Sequence, residues 1–272
     1  MDFTVLATSD LIEWLTIVDM WPDAMPSTDD LGGLGLDEGD LDAAVTEQQR
    51  ARDAKVRADQ QLSVHGQVVD LDASLNDLVA MVRGNLDTDP ASLNTPYRSA
   101  DLQIMGDSTK KRGRSSGGTS STPPLSRLSD PQRQAVGLIG EMTAFHWLLA
   151  KDRHSIVDET CWKSTNVSHV FEGLQGDDGL GFDFEVPRKG GSVMYEVKAT
   201  SGDAGMIELG ETEVNCAQEF LRGSQANRWR LLIVEDVLSV QPRVLMLPNP
   251  FTRDNRAKFR FVGNSVRLRF KL

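Results

Sequence analysis

Two segments in the second half of the chain alternate between apolar and polar residues, and they constrain the fold more than any other feature. Residues 181–187 and residues 192–200 each repeat with a period of two, which is typical of β-strands with one buried face. An Arg-Lys-Gly-Gly sequence at residues 188–191 lies between them and has the composition of a tight turn. The pattern predicts a β-hairpin.

The length of that turn decides which side chains share a face of the hairpin. A turn of two or of four residues places Asp183 opposite Glu196, with Lys198 two positions along on the same face. Two like charges in this position destabilise a sheet, and a divalent cation between the carboxylates would remove the repulsion. A turn with an odd number of residues would move the partners to opposite faces and exclude such a site.

These side chains fit the chemistry of metal-dependent phosphoryl transfer. Mg²⁺ prefers oxygen ligands and binds few protein carboxylates, which leaves room for water and for a substrate phosphate. Asp183 and Glu196 are the candidate ligands, with Mn²⁺ as an alternative cation. Lys198 would orient the attacking water and neutralise charge on the phosphoryl oxygens. The competing interpretation is an amphipathic strand whose polar face meets solvent.

An amphipathic helix is predicted upstream of the hairpin. Residues 130–151 carry apolar side chains at helical spacing, and Pro131 suits the first turn. Glu141 lies beside Gly140 on this helix, where a ligand or a neighbouring backbone can approach closely. Glu141 is therefore a candidate catalytic residue and third metal ligand, and a solvated surface carboxylate is the alternative.

Several short motifs around these residues resemble a known protein family. The motifs are Gly-Glu at 140–141, Gly-Leu-Gly-Phe-Asp at 179–183, Tyr-Glu-Val-Lys at 195–198, Leu-Gly-Glu-Thr-Glu at 209–213 and Arg-Leu-Leu-Ile-Val at 230–234. The region from about residue 131 to about residue 240 resembles the C-terminal domain family named after the plant protein NO VEIN. That family is grouped with the PD-(D/E)XK, restriction-endonuclease-like nucleases.

The resemblance implies both a fold and a function. The implied fold is α/β, a restriction-endonuclease-like mixed sheet flanked by helices, with a metal site on the two central strands. The implied function is a Mg²⁺-dependent DNA endonuclease that hydrolyses phosphodiester bonds. Asp183, Glu196 and Lys198 fall on the nuclease signature, Glu141 falls on the helical acid, and Glu213 matches a recurrent family position. The alternative is a non-catalytic nucleic-acid-binding or interaction module of an ATPase-containing complex.

A segment near the N-terminus resembles part of a larger assembly. Trp-Pro-Asp-Ala-Met-Pro at residues 21–26, followed by an acidic stretch, is similar to what precedes this domain in large bacterial proteins with a histidine-kinase-like ATPase module. The resemblance implies a role in restriction or antiviral defence against foreign DNA. ATPase subunits or other defence-system subunits are then the expected partners.

A change of composition divides the chain. Residues 107–127 are rich in Ser, Thr, Gly and Pro and predict a flexible basic linker. Residues 1–106 carry 20 acidic and 6 basic side chains, whereas residues 107–272 carry 20 acidic and 23 basic ones. We expect an acidic, mainly helical N-terminal region and a restriction-endonuclease-like domain over residues 128–272. The acidic region is also a candidate for partner docking or for self-association into a homodimer.

Two helices are predicted within the acidic region. The first is a charged surface helix that begins at Asp40 or Asp42 and ends at Leu62. The second covers about residues 73–83, ends at Gly84 and buries one apolar face. That face consists of Leu75, Leu78, Val79 and Val82.

The C-terminal stretch is strongly basic. Residues 242–272 contain 8 basic side chains and 1 acidic one. DNA phosphates are natural partners for such a surface, with salt-sensitive binding that does not depend on sequence. Protection of an edge strand by cations is the alternative. The candidate nucleic-acid contacts are Arg253, Arg256, Lys258, Arg260, Arg267 and Arg269.

Other features exclude several classes of protein. No apolar stretch approaches the roughly 20 residues of a membrane span, and the acidic N-terminus argues against a signal peptide. Two cysteines far apart make neither a disulfide framework nor a Cys-x-x-Cys metal site. We therefore expect a cytoplasmic protein without membrane contact.

Overall fold

The structure is a computed structural model with two compact units, residues 1–59 and residues 60–272. The residues that it describes are 38–71, 75–88, 128–151, 157–202, 205–221, 225, 228–262 and 266–270. The predicted linker at residues 107–127 lies outside the described residues, as does the segment at residues 21–26. No helix in the described ranges is long and apolar enough to cross a membrane.

The first unit is described by one helix, α1, at Glu38–Gln60. Its sequence is highly charged, and contacts at helical spacing join its side chains, such as the 2.9 Å hydrogen bond from Nε2 of Gln49 to Oδ1 of Asp53. The predicted charged helix is therefore confirmed. It ends at Gln60, two residues before the predicted end, because a strand begins at Gln61.

A β-hairpin that the sequence pattern does not predict opens the second unit. Strand β1 at Gln61–Val64 pairs antiparallel with β2 at Gln67–Asp70. Both residues of the turn, His65 and Gly66, have positive φ angles (52° and 79°), as a two-residue hairpin turn requires. The backbone N–H of His65 donates to the carbonyl of Leu238, which fixes the hairpin to the rest of the unit.

Helix α2 at Leu75–Thr88 buries the predicted apolar face. Leu78, Val79 and Val82 are buried, and Leu86 continues the same face. The helix therefore continues through Gly84, its predicted end, and extends its buried face by another turn. Together with β1, it shares a hydrophobic core with the following helix, and both lie in the second compact unit, residues 60–272.

Helix α3 at Asp130–Lys151 confirms the predicted amphipathic helix. Ser129 and Gln132 exchange side-chain and backbone hydrogen bonds at its start, in the manner of a capping box. Twelve of its residues are buried, including Glu141. Burial on more than one side of the helix follows from its position between α2 and the central sheet.

The central sheet is mixed and has four strands in the order β3-β4-β6-β7. Strands β4 and β6 run parallel, and the other two pairs are antiparallel. A second sheet has the order β5-β9-β8 and is antiparallel. The strands are β3 at Phe184–Val186, β4 at Val193–Ala199, β5 at Met206–Leu209, β6 at Trp229–Glu235, β7 at Arg243–Pro248, β8 at Arg260–Val262 and β9 at Val266–Arg269. This mixed α/β architecture confirms the predicted fold class.

Helices cover the two faces of the central sheet. On one face α3 packs against a core that includes Tyr195 and Val197, and on the other face lie Leu231, Ile233 and the second sheet. Two shorter helices among the described residues are α4 at Val167–Val170 and α5 at Glu211–Glu219. Helix α5 contributes Cys216 and Ala217 to the hydrophobic cluster that contains Leu231 and Ile233. Short 3₁₀ turns lie at Glu159–Cys161, Asp178–Leu180 and Arg256–Lys258.

The register of the β3–β4 hairpin is the predicted one. Phe184 lies opposite Tyr195, and Val186 lies opposite Val193. Continuing this register by one residue places Asp183 opposite Glu196, as the even turn length required. Strand β3 is short, so it pairs only with the beginning of β4, and the edge of β4 from Glu196 to Ala199 is not paired with β3.

Candidate active site

A cleft of about 510 Å³ opens at this unpaired edge of β4. It brings together all four predicted catalytic side chains, and Glu213 joins them from α5. The contributing elements are α3, the segment before β3, strand β4 and α5. The acidic side chains in its lining are Glu141, Asp178, Asp183, Glu196 and Glu213, and the basic ones are Arg133 and Lys198.

Asp183 ends the pairing of β3 and turns its side chain toward β4. Oδ2 accepts a hydrogen bond of 2.7 Å from the backbone N–H of Val197, a group that β3 does not reach. Burial raises the pKa of Asp183 well above its ordinary value, and the charge of Glu141 raises it further. The hydrogen bond therefore fixes the carboxylate while its neighbours disfavour its negative charge.

Glu196 is buried in the middle of β4, with 4% of its surface exposed. Its Oε1 lies 2.9 Å from Nζ of Lys198, two residues along the same face of the strand. Burial raises the pKa of Glu196 well above its ordinary value, and the opposing Asp183 adds to the shift. This repulsion between Asp183 and Glu196 is the electrostatic result that the hairpin register predicted.

Lys198 has a second carboxylate partner. Oε1 of Glu213 lies 2.8 Å from its Nζ. Burial disfavours the charged ammonium, but the two carboxylates outweigh burial and raise the pKa of Lys198 above its ordinary value. Lys198 is therefore a fixed positive charge in the cleft and does not act as a proton acceptor near neutral pH.

Glu213 is positioned by the start of α5. It is the third residue of the helix, and its Oε2 accepts a hydrogen bond of 2.9 Å from the backbone N–H of Gly210. This is the acidic half of a capping box, with glycine at the cap position. One carboxylate thus joins the end of α5 to Lys198 on β4.

Glu141 reaches the cleft from α3 and is held by three side-chain donors. Oε2 accepts from Nε1 of Trp162 at 2.7 Å and from the hydroxyl of Ser164, and Oε1 accepts from Nδ2 of Asn166 at 2.6 Å. Burial raises the pKa of Glu141 to about 7, although these hydrogen bonds lower it. It is therefore not the solvated surface carboxylate that the alternative interpretation described.

Gly140 explains how α3 comes so close to the site. A Cβ atom at this position would lie 2.5 Å from Cβ of Ala199, a distance too short for two carbon atoms. Only glycine allows the helix to contact the end of β4 in this way. The two residues of the Gly-Glu pair therefore act together. Gly140 lets α3 lie close to β4, and Glu141 places its carboxylate in the cleft.

The acidic side chains of the cleft are candidate ligands for a divalent cation. Among the described residues, no group of three or more His, Cys, Asp and Glu side chains is arranged to hold a metal ion. Mg²⁺ nevertheless requires only one or two protein carboxylates and keeps several waters. The second oxygens of Asp183 and Glu196 receive no hydrogen bond from the described residues. These two carboxylates, which repel each other, fit such an ion.

The predicted nucleic-acid contacts lie apart from the cleft lining. Arg267 and Arg269 project from the exposed face of β9, and Arg260 on β8 lies directly opposite Arg269. Nε of Arg267 lies 3.1 Å from Oε2 of Glu208 on β5. The structure thus brings three of the six cations onto one face of the second sheet. Arg253, Arg256 and Lys258 lie in and beside the preceding 3₁₀ turn.

Several residues of the site were not predicted. Trp162, Ser164 and Asn166, the donors to Glu141, lie in a segment without a regular hydrophobic period, so the sequence carries no signal for them. Arg133 lines the cleft from the first turn of α3. Asp178, which also lines the cleft, accepts hydrogen bonds from the backbone N–H and the hydroxyl of Thr165.

Comparison with known proteins supports the resemblance seen in the motifs. Residues 140–247 match the family described as Protein NO VEIN, C-terminal. The matched range includes every predicted catalytic residue and Glu213. It ends before all six candidate nucleic-acid contacts. No curated protein and no solved structure matches the chain.

Proposed function

We propose, starting from the resemblance of residues 140–247 to the NO VEIN C-terminal family, that this protein is a Mg²⁺-dependent DNA endonuclease. One observation carries the proposal. Asp183, Glu196 and Lys198 meet in a single cleft in the register that the hairpin predicts, with the carboxylates in mutual repulsion. A divalent cation relieves that repulsion, and phosphodiester hydrolysis is a reaction that such a site performs.

Each side chain has a role in the proposed reaction. Asp183 and Glu196 would hold the cation, with Glu141 in support from α3. When bound, the cation supplies charge neutralisation at the phosphoryl oxygens and lowers the pKa of a coordinated water. Lys198 keeps its positive charge, and it would orient the attacking water and stabilise the negative charge that develops on the phosphate.

Cleavage of supercoiled and linear DNA with Mg²⁺ or Mn²⁺, and with EDTA as the metal-free control, tests the proposal. Asp183→Asn, Glu196→Gln and Lys198→Met should each reduce cleavage by at least about a hundredfold, the scale of a lost electrostatic contact in a transition state. Glu185→Gln on the same hairpin and Lys189→Met in its exposed turn are the matched controls. They should cleave like the wild type.

A non-catalytic nucleic-acid-binding or interaction module is the second candidate. Two observations favour it: Glu196 is already paired with Lys198, and the described residues contain no preformed group of three metal-binding side chains. Salt-sensitive DNA binding without cleavage, in all metals and with any ATPase partner supplied, would support this candidate. Cleavage that survives Glu196→Gln and Lys198→Met would exclude the proposed site altogether.

The proposed partners follow from the nuclease hypothesis and the resemblance. DNA would contact the basic C-terminal stretch, and ATPase or other defence-system subunits would complete an antiviral assembly. Phage plating on cells that express the wild type or Glu196→Gln tests this role. Protection by the wild type alone is the expected result, and equal plating efficiency would contradict it. Gel filtration of the full chain over a range of concentrations tests the homodimer.

A further inference from the structure

Lys198 is held from two directions by carboxylates of different elements. Its Nζ lies 2.9 Å from Glu196 on the same strand and 2.8 Å from Glu213 on α5. The side chains of Glu196 and Glu213 are 5% and 18% exposed, so water screens these ion pairs only weakly. The three groups form a continuous chain from the middle of the central sheet to the start of a helix.

The ion pair and a bound cation make competing demands on Glu196. An ammonium group and a divalent cation repel each other, and both are stabilised by the same carboxylate. Binding of the cation to Glu196 therefore weakens its contact with Lys198. Without another partner, the ammonium would remain in the cleft with its charge uncompensated, which is costly at a shielded position.

We propose that Glu213 is a positioning residue that holds Lys198 in the cleft and away from Glu196 when a divalent cation binds there. The hydrogen bond from Gly210 to Oε2 of Glu213 fixes the carboxylate, so that Oε1 remains directed at Lys198. This inference rests on the proposed function, because it takes Glu196 as a metal ligand. In this role Glu213 would act through Lys198 rather than as a ligand of the cation or of the substrate.

A double-mutant cycle of Mn²⁺ binding to the full chain tests this role. Isothermal titration calorimetry would compare the wild type, Glu213→Gln, Lys198→Met and the double variant. Glutamine keeps an oxygen that can accept from the N–H of Gly210, so the start of α5 is preserved. Glu211→Gln is the matched control, because it removes a charge from an exposed position in the same helical turn.

The expected result is a strong dependence on Lys198. Glu213→Gln should weaken Mn²⁺ binding about tenfold, within the range of coupling between contacting charged residues. In this variant, Glu196 is the one carboxylate of the two that still pairs with the ammonium of Lys198, so the cation and the ammonium compete for it. In the Lys198→Met background, the same substitution should change the affinity less than about threefold. Glu211→Gln should leave binding unchanged. Excess Mn²⁺ should also restore cleavage by Glu213→Gln and leave Glu196→Gln inactive.

Two results would overturn the inference, and they have different meanings. An equal loss of affinity in both backgrounds would show that Glu213 acts through its own charge or through the fold, while the metal site itself would stand. Absence of Mn²⁺ binding in the wild type and in Lys198→Met would overturn the positioning role together with the metal-dependent function.

Discussion

The buried carboxylate of Glu141 makes the stability of the fold depend on pH in a way that can be worked out. Its pKa in the folded protein is about 7, against 4.5 for an exposed glutamate, because burial disfavours the charged form. The folded state therefore holds this proton more tightly than the unfolded chain does. The resulting stabilisation is complete below about pH 4.5 and is lost as the pH rises to about 7.

The size of the effect follows from the shift. A difference of about 2.5 pKa units corresponds to about 3–4 kcal/mol in the free energy of unfolding, at about 1.4 kcal/mol per unit. Glu141→Gln removes this titration and retains an oxygen for Trp162 and Ser164. Its amide would face Asn166, whose own amide can rotate to present its oxygen. The substitution also removes the charge that raises the pKa of Asp183, which changes the pH dependence in the same direction.

Chemical denaturation of the full chain, followed by circular dichroism in EDTA between about pH 4.5 and about pH 8, measures the effect. The free energy of unfolding of the wild type, minus that of Glu141→Gln, should fall by about 3–4 kcal/mol across this range. Glu211→Gln controls for loss of an exposed carboxylate. A wild-type minus variant difference that stays constant with pH would refute the assignment of a raised pKa to Glu141.

Three further predictions concern the fold and the basic surface. Gly140→Ala should lower the free energy of unfolding by about 1–3 kcal/mol in denaturant titrations, because its Cβ overlaps β4. Its control, Gly137→Ala, has no atom within 4 Å of the new Cβ and should raise the free energy of unfolding by about 0.5–1 kcal/mol. Arg269→Ala should lower the slope of log affinity for DNA against log salt by about 0.9 in fluorescence anisotropy if this side chain contacts a phosphate. Removal of residues 1–59 should leave the melting temperature of the second unit unchanged, and further removal of residues 60–88 should lower it, because their buried side chains belong to its core.

The hairpin and the long helix were predictable because local periodicity determines them. Period-two alternation and an even turn length fixed the register of Asp183 and Glu196, and helical spacing fixed α3. The β1–β2 hairpin was missed because its strands have only four residues and follow a charged helix directly. The core that α2 shares with α3 was not predicted for a related reason, since their contact is tertiary and leaves no local pattern in the sequence.

The electrostatics of the site were only partly predictable. The register predicted repulsion between Asp183 and Glu196, but the partners of Glu141 come from an irregular segment. The bridge from Lys198 to Glu213 depends on where α5 begins relative to β4, and neither residue's local sequence determines that distance. Sequence patterns therefore identified the charged groups, and the fold determined their hydrogen bonds.

The hydrogen bond between Trp162 and Glu141 has a consequence for the evolution of this domain. Both residues are almost fully buried, at 2% and 7% exposure, and the indole ring also packs against Phe145 and Phe184. Substitution of either partner removes this hydrogen bond, while Ser164 still contacts the partner that remains, so the expected cost is that of one net hydrogen bond, about 0.5–1.5 kcal/mol. Lineages that lose one of the two should therefore have lost the other as well, and alignment columns for the two positions should covary.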